Sequence, residues 1–187
     1  MFEINDKIVD YLLAISLILI GVGFRFLPHA PNFTPIIALT LFSAAYLPRK
    51  ISFVVPLGVM IISDLFIGSY SLNLMMVVYT SLLLIVIIGF YIKKDDNWVR
   101  IGVTSLLGSV LFFLVTNLGV WGLTPWYEKT ITGLLRSYYL ALPFFKNTAI
   151  STVVYSGALF FSYKSVRLWL HQKRFVVNST TDDPRYN

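Results

Sequence analysis

The chain contains no cysteine, which excludes disulfides, thiolate metal sites and cysteine nucleophiles and leaves no mark of redox compartment. Charge is scarce as well. Charged residues make up 13% of the 187 positions against 57% hydrophobic ones, and mean hydropathy is +0.75, whereas soluble domains average about 25% charged and 45–50% apolar. A soluble domain is therefore excluded, and an integral membrane protein is expected. Catalytic strings are missing too: there is no G-x-S-x-G, H-E-x-x-H or P-loop pattern, and "GVGFRF" lacks the strand context and third glycine of a dinucleotide site. Asp64 and the distant Glu128 do not make an acid–base pair by spacing. An enzyme is not expected, nor is a cofactor. The net charge of +6 would suggest nucleic acid in a soluble protein. Here the basic residues sit in short segments between apolar runs, as topology signals do, so nucleic acid is discounted.

A membrane span needs about 20 mostly apolar residues. Six candidates are present, at about 8–27, 33–47, 51–67, 72–92, 99–121 and 145–163, the last preceded by a short helix through "TGLLRSYYLAL". The second is short. At about 1.5 Å per residue it falls well below a 30 Å hydrocarbon core, so it must be tilted, shielded or partly re-entrant. The leader "MFEINDKIVD" carries Glu3 and Asp6 against Lys7 and is followed by no small-residue cleavage site, so the first span reads as retained rather than as a signal peptide. The expected fold class is an all-α polytopic membrane protein, a bundle of six transmembrane helices. Residues 1–175 form one domain, and 176–187 form a polar, disordered tail.

Lysines and arginines set the orientation. With six spans, Lys7, Arg49, Lys50, Lys93, Lys94, Arg100, Lys164, Arg167, Lys173, Arg174 and Arg185 fall on one side, and Arg25, Lys129, Arg136 and Lys146 on the other. Both termini are thus expected in the cytoplasm, with the chain in the cytoplasmic (inner) membrane. Trp121, Trp126 and Tyr127 towards the outer face, and Trp98 and Trp169 towards the inner, fit two aromatic belts.

Polar side chains gather in the outer leaflet. Arg25, His29 and Asn32 close the first span, Asp64 lies near the outer end of the third, Asn73 opens the fourth, and Asn117 and Trp121 lie near the outer end of the fifth. Trp126, Arg136 and Asn147 belong to the connection into the sixth. An intramembrane aspartate is costly and must be compensated. Asp64 pairs with Arg25 or Arg136 to lock helix ends, faces an outward-open cavity where it helps to bind a polar solute, or is simply exposed at the interface. In "LPHAPNFTP", Pro28, Pro31 and Pro35 break the helical ladder at or near membrane depth. Such backbone is tolerated only where it is buried in protein or lines a water-filled cavity. The segment is either a pocket wall or a stiff turn. His29, with no second histidine nearby, is not expected to hold a metal. Small residues four apart, at Thr40 and Ala44, Thr104 and Gly108, Ser105 and Ser109, and Thr152 and Ser156, suggest close helix packing.

The strings "PHAPNFTPIIALTLFSAAY", "PLGVMIISDLFIG", "LFFLVTNLGVW" and "LPFFKNT" resemble the pattern of a functionally uncharacterised family of small bacterial membrane proteins, over roughly residues 20–160. The six-span layout in turn resembles the substrate-binding (S) subunits of energy-coupling-factor vitamin transporters. That resemblance implies a six-helix bundle with a site roofed by the loops after the first, third and fifth spans. It also implies a vitamin or related solute, and a membrane scaffold with two ATPase subunits as partners. The first span departs from it, since "YLLAISLILIGVG" has Ala14 and Ser16 but no Ala-xxx-Ala spacing, which leaves the coupling open. The expected function is a solute-binding transport subunit, with Arg25 or Arg136 directed to a carboxylate or phosphate, Asp64 to an amine or hydroxyl, and Asn32, Asn73, Asn117 and Asn147 as amide partners. The alternative is a structural or assembly subunit of a larger membrane complex.

Overall fold

The computed structural model describes residues 6–68, 70–92 and 97–181, with side chains over 7–169. Lys93 and Lys94 of the topology count, the basic residues beyond 169 and the tail from 182 lie outside what is described. Six helices follow one another: α1 (Asp6–Phe26), α2 (Ile36–Tyr46), α3 (Arg49–Ile67), α4 (Leu72–Gly89), α5 (Trp98–Leu123) and α6 (Ile131–Thr181). The breaks between them have local causes. Gly68 ends α3 at φ 106°, a conformation that a Cβ disfavours, and Asn97 caps α5 by accepting from Arg100 N at 3.1 Å.

Among the described residues, α1, α3, α4 and α5 are long and apolar enough to cross a bilayer, and α2 is a shorter apolar helix. By helix length and hydropathy the chain is a multi-pass membrane protein. The remaining expected crossing, at 145–163, is helical but lies within a single helix of 51 residues. That helix is not among the four, and its apolar stretch is diluted by Lys146, Asn147 and a series of serines and threonines. The short helix expected before it is not separate. α6 runs through Pro143, whose missing N–H frees only the Tyr139 carbonyl, on a residue that is 72% exposed. α6 continues through 176–181, the first part of the polar tail.

The organising element is α2. It packs against all five other helices, and its residues from Ile37 to Tyr46 are buried. Around it α1, α3, α4, α5 and α6 stand as successive neighbours, and the Phe24 ring meets Tyr155 at 5.4 Å to join α1 to α6. The small residues are used inside this arrangement. Thr40, Ser105, Ser109, Thr152 and Ser156 are all buried, and Ser105 Oγ donates to Ser156 Oγ at 2.9 Å between α5 and α6. A Cβ on Gly89 would come within 2.5 Å of Ala44 Cβ, so α4 approaches α2 as closely as it does because that position is glycine.

Pro56 sits inside α3 and removes the N–H that the Ser52 carbonyl would otherwise accept. Ser43 Oγ on α2 lies 3.2 Å from that carbonyl, and Ser52 Oγ lies 3.0 Å from the Ser43 carbonyl. Ser43 Oγ also lies 2.8 Å from the Thr40 carbonyl, so its one proton is shared between its own helix and the carbonyl freed by Pro56 across the α2–α3 contact.

Candidate functional site

α2 begins ten residues after α1 ends, and the intervening segment 27–35 lies over the end of the bundle where α1, α3 and α5 finish and α4 and α6 start. Asn32 adopts φ 61° there, a left-handed conformation that asparagine tolerates better than most residues. The segment is fastened at several points. Phe33 N donates to Ala30 O at 2.9 Å, Asn147 Nδ2 donates to Pro31 O at 3.0 Å, and the Phe33 ring meets Tyr155 at 5.8 Å. It is held chiefly by α6.

Beneath it lies a hollow of about 350 Å³, with His29, Asn32 and Tyr70 at its rim and Ile37, Met60, Leu82 and Thr148 in its floor. Those rim residues are exposed and those floor residues buried. A second hollow, of about 240 Å³, has Asn117, Phe113, Phe144 and Phe145 in its wall. The two share Asn32, Val78, Phe112 and Thr148 as lining, so they abut as lobes of one depression. The Phe113 and Phe145 rings stand 4.8 Å apart in the second lobe. The polar groups of that lobe are mostly turned to their own helices: Asn117 Nδ2 donates to Phe113 O, Thr116 Oγ1 to Phe112 O and Thr148 Oγ1 to Phe144 O. What remains is the acceptor capacity of the two hydroxyls and of Asn117 Oδ1, with the second Asn117 N–H as a donor.

Arg25 is the fixed charge in the first lobe. One guanidinium nitrogen lies 2.8 Å from Asp64 Oδ1, and the other points at Met60 Sδ at 2.9 Å. Asp64 Oδ2 accepts from Tyr79 Oη at 2.9 Å. The aspartate is 4% exposed, and its Oδ1 is buried with the ion pair as its partner but no well-aligned hydrogen bond. Of the two partners considered for Asp64, Arg25 is the one it meets, and Asp64 stands behind Arg25 rather than in the lining. Partial burial, and then the Asp64 charge, raise the Tyr70 phenol above its ordinary pKa of 10, with Arg25 opposing.

The sequence candidates therefore divide. Arg25, His29 and Asn32 line the first lobe, with Asp64 directly behind, and Asn32 and Asn117 line the second. Asn147 anchors the segment above. Asn73 and Trp121 lie apart from these, in an open apolar groove between α4 and α5, where Trp121 Nε1 donates to Glu128 O and Lys129 bonds to the Trp121 carbonyl. Trp126 is 70% exposed. Arg136 is exposed on α6 and is absent from the lining of either lobe. Asp64 and Arg136 thus do not converge on a shared cavity. Sequence reasoning missed Tyr79, Tyr70 and Thr148. Tyr79 was open to discovery: α3 ends at Ile67 and α4 starts at Leu72, and the two pack together, which brings the first two turns of α4 alongside Asp64. Among the described residues no group of three or more His, Asp or Glu side chains is placed to hold a metal.

The chain belongs to a family of unknown function, DUF6580, whose model matches residues 5–175. No curated protein and no solved structure matches it.

Proposed function

We propose that this protein is the membrane-embedded, solute-binding subunit of an uptake system. Six crossings complete the reading, with the stretch 145–163 of α6 as the sixth. The excess of basic residues on the side of Lys50, Arg100 and Lys164 puts both termini in the cytoplasm. The two-lobed depression then opens outwards. Family membership carries no activity with it, so the reading rests on one observation: at one end of the bundle, two abutting hollows share a wall beneath a fastened, proline-rich segment, whereas the larger hollows at 88–107 and 73–123 are open grooves between α4 and α5. A concave, mostly apolar site of this size with a few directed polar groups is the usual form of a small-molecule site. The resemblance to the S subunits of energy-coupling-factor transporters leads to a site roofed by the loops after the first, third and fifth spans; segment 27–35 and Tyr70 supply the first two at the first lobe, and the loop after the fifth lines neither lobe. Coupling to a scaffold and ATPases is part of the proposal.

The experiment is purification in mild detergent, followed by denaturation and mass spectrometry of released small molecules. A solute present with the wild type and lost with Val78→Phe, which fills the wall common to both lobes, is the expected result. Recovery of a stoichiometric membrane complex without any released solute would replace this reading with an assembly role. That second reading is favoured by one contact: Asp64 spends its charge on Arg25, which ties the end of α1 to α3.

A further inference from the structure

The ion pair bears on what the depression accepts. Taken alone, Arg25 would attract a carboxylate or phosphate. Here its charge is cancelled by a carboxylate 2.8 Å away, so a ligand in the first lobe meets guanidinium N–H groups with little net field. His29 is the other titratable nitrogen in the lining and sits exposed at the rim, where water screens it. No lysine and no acidic side chain lines either lobe. An anion entering this largely apolar space would lose its hydration without gaining an uncompensated cation. The second lobe adds acceptors, because the hydroxyls of Thr116 and Thr148 and one N–H of Asn117 donate to helix carbonyls, which leaves the two hydroxyl oxygens and Asn117 Oδ1 able to accept, beside the second Asn117 N–H and the Asn32 amide. An N–H donor is well matched to those oxygens. Around those acceptors stand Phe112, Phe113, Phe144 and Phe145, whose faces and edges favour a flat ring.

We infer that the solute is planar and uncharged overall, presenting N–H donors to the phenylalanine-lined lobe and a carbonyl-like acceptor to Arg25. The inference rests on the solute-binding reading above. It assigns the Arg25–Asp64 pair a role in specificity: the aspartate removes the anion preference that a lone arginine would impose.

The test uses the full chain in lipid nanodiscs with benzamide and benzoate, two flat probes of nearly equal size that differ by one charge and by the N–H donors. Binding is titrated by ligand-observed NMR. Wild-type protein binds benzamide and binds benzoate at least about tenfold more weakly. Asp64→Asn, which leaves Arg25 uncompensated, strengthens benzoate by about tenfold or more. Should that variant not fold, Arg25→Met with Asp64→Asn removes both charges and the Arg25 donor together, so benzamide weakens by about tenfold while benzoate stays the weaker of the two probes. Preference for benzoate in the wild type or in the folded double variant overturns the charge argument while leaving a solute site in place. Failure of wild-type protein to bind either probe overturns this inference, whereas the solute-binding reading beneath it falls only if the purified protein also releases no solute.

Discussion

The two ends of this bundle are built from the same helices and differ in how they are filled. At the C-terminal end of α2, the Phe42 and Tyr46 rings lie 4.2–5.5 Å from each other and from those of Phe160 and Tyr163, and Gly89 lets α4 close on Ala44. At the N-terminal end the same helix starts late and leaves the two lobes. The cause is length. α2 has 11 residues and α5 has 26, which at a rise of 1.5 Å each is about 16 Å against about 39 Å. A central helix too short for its neighbours leaves a space, and the segment 27–35 covers it without filling it.

Breaking the filled end costs most. Phe160 is 1% exposed, and Phe160→Ala is expected to destabilise by about 4 kcal/mol through lost burial and a residual cavity. Thermal denaturation in detergent measures this, and benzamide affinity per folded molecule stays unchanged. Asp64→Ala comes next, at about 3 kcal/mol, because Arg25 is left without its buried partner and Tyr79 without its acceptor. A cost under about 1 kcal/mol would mean that water already serves both groups. Ser43→Ala removes the hydroxyl beside the carbonyl freed by Pro56 and should cost about 1 kcal/mol, most of it recovered in the Ser43→Ala, Pro56→Ala double variant, which restores a helical N–H. A filling change at the hollow end, Val78→Phe, sharpens the contrast from the other side, with a stability change within about 1 kcal/mol and loss of solute binding. The smallest effect is a pH dependence. The raised pKa of Tyr70 means that folding holds its proton more tightly than the unfolded chain does. Its contribution is therefore complete below about pH 10 and declines as pH rises from there through the folded pKa. Tyr70→Phe should flatten that alkaline decline in melting temperature.

Much of the architecture was legible in the sequence because membrane insertion acts on composition and length, both of which are local. The long apolar runs correspond to α1, α3, α4 and α5, and the short second run corresponds to α2. α6 was less legible. Its part at 145–163 reads as a span, but the continuity of a 51-residue helix through Pro143 leaves no hydropathy signal and depends on the neighbours that hold it. Among the site residues, Arg25, Asp64, Asn32 and Asn117 stood out because a polar group in an apolar run is conspicuous. Thr148, Val78 and Phe112 did not, since ordinary residues become lining only through the helix packed opposite them.

The sequence by itself determined that this chain is built of apolar helices of membrane length and where α1 to α5 run. Hydrophobic transfer is a sum over short segments and needs no fold. Only the tertiary structure decided that Asp64 meets Arg25 rather than Arg136, that Asn73 and Trp121 stand apart from Asn117, and that the small residues are consumed between helices. Those outcomes depend on rotation and approach of whole helices around α2, which close packing fixes to a fraction of a residue and which no run of sequence records.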